Sequence, residues 1–212
     1  MHSPTSPLSD HGSTWTAQTV GMSFDILERM ERAVMKVRER LLRATAALNQ
    51  IGVPYAVVGG NAVASWVATV DEGAVRTTRD IDLLIRRSDL PTITPALEQV
   101  GFVPDELLGV TMFRDGEQGK PSEAIHLLFS GEKTRPDHLL PAPEIQTVTD
   151  PADFPVLKLE SLVEMKLMSH RDKDRVHLRD LLGVQLIDPS WVAKLPPELA
   201  ARLQHILDTP DE

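Results

Sequence analysis

The sequence predicts an α/β fold, a sheet flanked by helices and followed by a C-terminal helical region. Three observations predict it. Short apolar runs (YAVV, IDLLI, IHLLF) alternate with stretches of helical periodicity, glycines punctuate the junctions, and the last part of the chain reads mostly as helix.

Residues 1–22 are rich in Ser, Thr, Pro and His without apolar periodicity, so they are expected to be a disordered tail outside the fold. From Ser23, an N-cap candidate, apolar positions Ile26, Met30, Val34, Val37, Leu41 and Leu42 and a closing Gly52 specify a long amphipathic helix. After Pro54 comes YAVVGG, a short strand stopped by Gly59 and Gly60 on a tight turn, and NAVASWVATV then has helical composition. RTTRDIDLLI, residues 76–85, reads as the second strand, and PTITPALEQVG as a helix begun near Pro95 and closed by Gly101.

GFVPDELLGVTMFRD contains one or two short strands, and EAIHLLF is another strand candidate. Residues 130–155 carry five prolines and several charges, an irregular connection that marks a subdomain boundary. LKLESLVEMKLMSHRDKDRVHLRDLLG and PPELAARLQHIL are helical. The expected organisation is therefore a tail over 1–22, a core with its leading helix over 23–155, and a helical region over 156–212 packed on that core.

Composition excludes several function classes. Lys plus Arg number 22 against 31 Asp plus Glu, a formal charge of -9, so the whole molecule repels polyanions and non-specific nucleic-acid binding is disfavoured. Arg86, Arg87, Lys133 and Arg135 read as solvated surface charge, the alternative being a local patch for a nucleotide or structured RNA. With no cysteine, disulfides and thiol chemistry drop out. No apolar run approaches the roughly 20 residues of a membrane span, no signal peptide opens the chain, and a cytoplasmic protein without a membrane partner is expected. P-loop, G-x-G-x-x-G and G-x-S-x-G motifs are all absent.

Alternation along the second strand puts Asp80, Asp82 and Leu84 on one face and Ile81, Leu83 and Ile85 on the other, toward the core. Carboxylates two residues apart on a strand sit about 6.5–7 Å apart at Cα, close enough for their oxygens to converge on one divalent cation. Mg2+ suits such a pair, since it takes hard oxygen ligands and keeps positions for water and substrate phosphates. The plain alternative is a solvent-facing strand end. Upstream, the Gly59–Gly60 turn lets backbone amides approach a phosphate at a helix N-terminus.

The text GGNAVASWVATVDEGAVRTTRDIDLL resembles the minimal nucleotidyltransferase signature of the DNA polymerase beta superfamily, in which a GG or GS turn opens a helix and an R-x-T-x-D-I-D strand follows. Arg76, Thr78, Asp80 and Asp82 match it, and the chain looks most like the AbiEii/AbiGii-type proteins, several of which are toxins of toxin–antitoxin systems. The resemblance implies a mixed sheet flanked by helices. It also implies a nucleoside triphosphate bound with Mg2+ on Asp80 and Asp82, nucleotide contacts near Gly59, Gly60, Arg76 and Thr78, and nucleotidyl transfer to a tRNA end, a protein or a small molecule, with an antitoxin as a further partner.

In that pattern a later strand supplies a third carboxylate, and here the position corresponds to His126, which shares a face with Ala124 and Leu128 while Glu123 lies on the other. Two readings stand. Neutral histidine can ligate a metal or accept a proton, giving a variant active site with His126 as a catalytic residue. Alternatively imidazole replaces an anionic oxygen poorly, leaving a catalytically impaired nucleotide-binding or regulatory protein.

If the helix starting at Leu159 is continuous, Leu162, Val163, Lys166, His170, Lys173, Asp174, His177, Asp180 and Leu181 share one arc of roughly 120°. Lys166 is then either a core-edge lysine with a solvated head or a triphosphate contact. The AbiEii-type resemblance matches Lys166 and Asp174 in this region, and Asp180 less closely. His170 and His177 lack a third ligand at recognised spacing and read as packing histidines.

Overall fold

The structure is a computed structural model that describes residues 15–149 and 154–210. The chain divides into two units, Met1–Lys36 and Val37–Glu212. Helix α1 (Trp15–Ile51) starts eight residues before the predicted Ser23, because TWTAQTVGM holds no proline and a single interior glycine costs only about 1 kcal/mol. The first 14 residues of the expected tail lie outside the described residues. In the first unit the expected apolar positions Ile26, Met30 and Val34 are exposed, as are Leu27 and Met35. In the second, Leu41, Ala44 and Leu48 enter the core while Leu42 does not, and Gly52 closes the helix at φ +68°.

The second unit is built on a seven-stranded mixed sheet in the order β3-β4-β5-β2-β1-β7-β6. Its strands are β1 (Tyr55–Val58), β2 (Ile81–Ile85), β3 (Phe102–Leu107), β4 (Val110–Asp115), β5 (Ile125–Phe129), β6 (Thr147–Thr149) and β7 (Pro155–Leu157). β2 runs antiparallel to β1 and parallel to β5, so the centre of the sheet mixes both pairings. β3 and β4 form a hairpin whose turn residues Leu108 and Gly109 both have positive φ.

Helices cover the sheet: α2 (Gly59–Ala68) packs on β1 and β2, and α3 (Leu90–Gln99) on β3. The Trp66 indole on α2 donates to the Leu157 carbonyl at 3.0 Å, tying that helix to β7. α4 (Leu159–Ser169) and α5 (Asp172–Gly183) pack on α2, and α6 (Pro197–Asp208) on α4. Among the described residues, no helix is long and apolar enough to cross a membrane.

Several expectations change. α3 begins at Leu90 rather than near Pro95, because Pro91 sits in the first turn where its missing N–H has no intrahelical partner to lose. β6 and β7 arise in or beside the stretch expected to be irregular; at three residues each they are too short to show a pattern, and they exist because β1 offers β7 an edge and β7 offers one to β6. β2 is buried on both faces beyond Asp82. Leu84 is as inaccessible as Ile81, Leu83 and Ile85, since β1 and β5 flank it and helices cover both sides of the sheet. The predicted continuous helix from Leu159 is broken into α4 and α5 by His170, at φ +47°, and Arg171 in extended conformation.

Candidate functional site

The site grows from one end of β1 and β2. β1 stops at Val58, opposite Asp82 on β2, and the chain turns directly into α2 through Gly59 at φ +70°. A Cβ on Gly59 would lie 1.9 Å from Asp82 Oδ2, and one on Gly60 would lie 2.9 Å from the Thr78 side chain. The two glycines therefore serve a close approach: backbone at the head of α2 lies against the Asp82 carboxylate and Thr78, and Gly59 also takes the left-handed backbone that β-carbons disfavour.

Asp80 sits one residue ahead of β2 rather than on it, outside the strand ladder. What holds it is Asn61 in the first turn of α2, whose Nδ2 donates to the Asp80 carbonyl at 2.7 Å. The Asp80 carboxylate faces α5, where Lys173 Nζ lies 3.4 Å from Oδ2. Asn61 and Lys173 were not singled out from sequence as site residues. Asn61 follows the two glycines directly, which is a weak signal, and Lys173 was visible only as a member of a helical arc.

His126 on β5 is in register with Asp82 and stands on the same side of the sheet, with Nδ1 3.6 Å from Asp82 Oδ1. Its Nε2 lies 3.2 Å from the Pro121 carbonyl, which only an N–H can satisfy. With one nitrogen against a carbonyl and the other facing a carboxylate, the protonated ring is favoured: the Asp82 carboxylate 3.6 Å away raises the histidine pKa against the opposing effect of burial. The position expected to hold a third acid thus sets an imidazole against Asp82, and that carboxylate makes the ring hold its proton more tightly.

Lys166 and Asp174 meet, although the continuous helix that predicted a common face does not exist. The break at His170 and Arg171 folds α5 back so that Lys166 Nζ lies 3.1 Å from Asp174 Oδ1, both side chains buried. Arg171 adds its Nε at 2.8 Å and its backbone N–H at 3.3 Å to Asp174 Oδ2. Burial acts to raise the Asp174 pKa, but the Arg171 hydrogen bond and the Lys166 charge overcome it and hold the carboxyl at about 2. Burial pulls Lys166 below its ordinary value, opposed by Asp174 and, less strongly, by Asp82. The Lys166 ammonium is engaged by Asp174 and remains within electrostatic reach of the site.

Arg76 is exposed and turns to α5, its Nε 2.8 Å from Asp180 Oδ1. His177 packs beside this cluster as a neutral imidazole, driven down to about 4 first by burial and then by the Lys166 charge. Neither His177 nor His170 joins a ligand set; among the described residues no group of three or more His, Asp or Glu is arranged to hold a metal.

Asp80 and Asp82 offer hard carboxylate oxygens that suit one Mg2+ in donor type. Lys173 lies against Asp80 and the His126 imidazole against Asp82, and among the described residues no third carboxylate joins them in a group that could hold a metal. The donor set fits a single divalent cation better than a pair.

No family model and no curated relative matches the chain. Its fold is similar to several solved structures. One is the antibiotic-resistance factor ANT(2'')-Ia in solution, at TM-score 0.52 and 12% identity over 82% of this chain and 92% of that one. Another is an antigenic nucleotidyltransferase-like protein from Paracoccidioides brasiliensis, at TM-score 0.50 and 18% identity over 81% of this chain and 88% of that one. A third is the Megavirus polyadenylate synthase, at TM-score 0.50 and 11% identity, where the match spans 88% of this chain but only 41% of that one. At these identities the likeness is one of fold: a mixed sheet flanked by helices, of nucleotidyltransferase-like type.

Proposed function

We propose that this chain binds a nucleoside triphosphate with Mg2+ and transfers its nucleotidyl group to an acceptor hydroxyl. One observation carries the reading: Asp80 and Asp82 lie together at the head of β2, against the Gly59–Gly60 turn that opens α2, in a nucleotidyltransferase-like fold. Asp80 and Asp82 would hold the ion. When bound, it would supply positive charge to the phosphates.

The other parts follow from what this chain places there. The α2 N-terminus, free of side chains at Gly59 and Gly60, offers backbone amides to phosphate oxygens. Thr78 and Asn61 keep the turn and Asp80 in place, and Lys173 brings a partly exposed ammonium to Asp80 from α5, while Lys166 and Arg76 are held by Asp174 and Asp180. In the reaction the acceptor oxygen bonds to the α-phosphorus as the bond to the pyrophosphate oxygen breaks. Pyrophosphate leaves, and the acceptor proton passes to His126 Nδ1 when the imidazole is neutral.

Titration calorimetry with each nucleoside triphosphate and Mg2+, followed by transfer of labelled nucleotide to cellular RNA, protein and small-molecule fractions, tests this. Transfer that persists in Asp80→Ala would sink it. The AbiEii-type likeness carries the finer expectation that transfer is toxic and that an antitoxin restrains it, so expression should arrest growth in the native form and not in Asp80→Ala.

A second reading rests on the internal cations. His126 on Asp82 and Lys173 on Asp80 neutralise both acids from within, as expected of a nucleotide-binding or regulatory protein that performs no transfer. Nucleotide binding without transfer to any fraction distinguishes it.

A further inference from the structure

Helix α1 carries an apolar seam. Leu27, Met30, Val34, Val37, Leu41 and Ala44 follow one another at alternating spacings of three and four residues, the heptad pattern by which one helix packs against another. Leu41 and Ala44 enter the core. Leu27, Met30 and Val34, which lie in the first unit, are instead 58%, 61% and 42% exposed, with Ile26 and Met35 beside them at 47% and 55%. Nothing among the described residues covers this stripe.

The charges around the stripe are divided along it. Residues 25–31 hold Asp25, Glu28 and Glu31 against Arg29, a formal -2, while residues 32–36 hold Arg32 and Lys36 and no acid, a formal +2. Residues 25–36 are therefore neutral as a whole, which gives no hold on a nucleic acid or an anionic membrane surface, since both select a basic face. A helix with the same division run the other way matches both halves, and a second copy of α1 in antiparallel orientation is such a helix. Helix dipoles favour that orientation too, whereas a parallel copy would set acid beside acid and base beside base. Arg32 lies 3.2 Å from Glu28 of its own helix, but both side chains are more than half exposed, so this pair exchanges partners at little cost.

We propose that two copies of this chain associate through antiparallel pairing of their α1 stripes, with Met30 of one copy set against Val34 of the other. Five side chains about half exposed present roughly 100 Å² each, so the pair hides on the order of 1,000 Å², the lower bound of a specific interface. Association of this kind is independent of any transferase activity.

Sedimentation velocity on the full chain, over a dilution series from about 100 μM downward, should show monomer passing to dimer with a midpoint on the order of 10 μM. Met30→Glu sets a carboxylate into the stripe of both copies and should weaken the dimer tenfold or more, with no change in melting temperature because Met30 is exposed. The chain has no cysteine, so a single introduced one reports on a single position. In the antiparallel pair Ala33 lies beside its counterpart, offset by about 3 Å along the axis, whereas Ile26 is displaced from its own by about 18 Å. Ala33→Cys should therefore form a disulfide-linked dimer under mild oxidation, and Ile26→Cys should not.

Monomer throughout the dilution series would overturn the proposal. So would a dimer that is equally strong in Met30→Glu, or linking of Ile26→Cys as readily as Ala33→Cys, which would place the contact on another surface or run the helices parallel.

Discussion

Two aspartate–cation clusters lie within the same unit, and they differ in burial. At the head of β2, Asp80 and Asp82 face Lys173 and His126 with side chains 31% and 24% exposed. At the α4–α5 break, Asp174 meets Lys166 and Arg171 with its side chain 1% exposed. Similar pairing chemistry does different work in the two places. Solvent at the first weakens each pair and lets a ligand or ion exchange for the internal cation, whereas removal of a partner at the second strands a charge out of water. One cluster is suited to function and the other to holding α5 against α4.

The largest test of that contrast is Asp174→Ala, which leaves Lys166 buried without its carboxylate. Chemical denaturation should show a loss of about 3–5 kcal/mol. The matching change Asp80→Ala should cost less than about 1 kcal/mol while abolishing nucleotide binding. Equal destabilisation by the two would erase the distinction.

Gly59→Ala comes next, because it forces both a left-handed backbone and a collision with Asp82. A stability loss of about 1–3 kcal/mol is expected, together with loss of nucleotide binding, by melting and calorimetry on the same sample. Gly109→Ala, in a hairpin turn away from the carboxylates, also has positive φ, and its added Cβ meets nothing within 4 Å. It should lose stability but keep binding.

The buried cluster also has a pH signature. His177 is neutral in the fold with its pKa near 4, against 6.5 for a free imidazole, so the unfolded chain binds the extra proton first. Its contribution is fully present above about pH 6.5 and is lost progressively as pH falls toward 4, a drop of roughly 2–3 kcal/mol. His177→Asn should flatten that slope in a series of denaturation curves. His126 behaves oppositely, since its pKa is raised: its pairing with Asp82 is complete below pH 6.5 and fades as pH rises through the higher folded value.

Smallest is Lys173→Ala at the exposed pair. Stability should stay within about 0.5 kcal/mol, and Mg2+ titration should show tighter binding by a few-fold as Asp80 loses its internal cation. Weaker Mg2+ binding would mean that Lys173 supports the ion's site instead of competing for it.

Much of the carboxylate cluster was legible in the sequence. The glycine pair, the D-I-D spacing and the alternation of EAIHLLF are local features, and they located the turn, Asp82 and His126 correctly because side-chain direction on a strand follows from residue count alone. Lys166 and Asp174 were expected only to share a helical face, not to touch. Helical phase assumed one rod, and the actual contact depends on the bend at His170, a non-glycine residue in left-handed conformation that no composition rule marks. Asn61 and Lys173 escaped notice because each acts across the fold, Lys173 on a residue 93 positions away.

The sequence by itself determined the layer pattern, the existence of β1, β2 and β5, and the pair of acids at the centre of the site, although β2 starts at Ile81, five residues later than the RTTRDIDLLI run suggests. Periodicity and turn chemistry act over a few residues, and those elements are governed at that range. Tertiary structure alone decided which side chain each acid faces, that β6 and β7 extend the sheet, and that Arg76 meets Asp180 on α5. Those outcomes depend on which distant surfaces meet and shut water out, and burial then sets the strength and pKa of every charge that is caught between them.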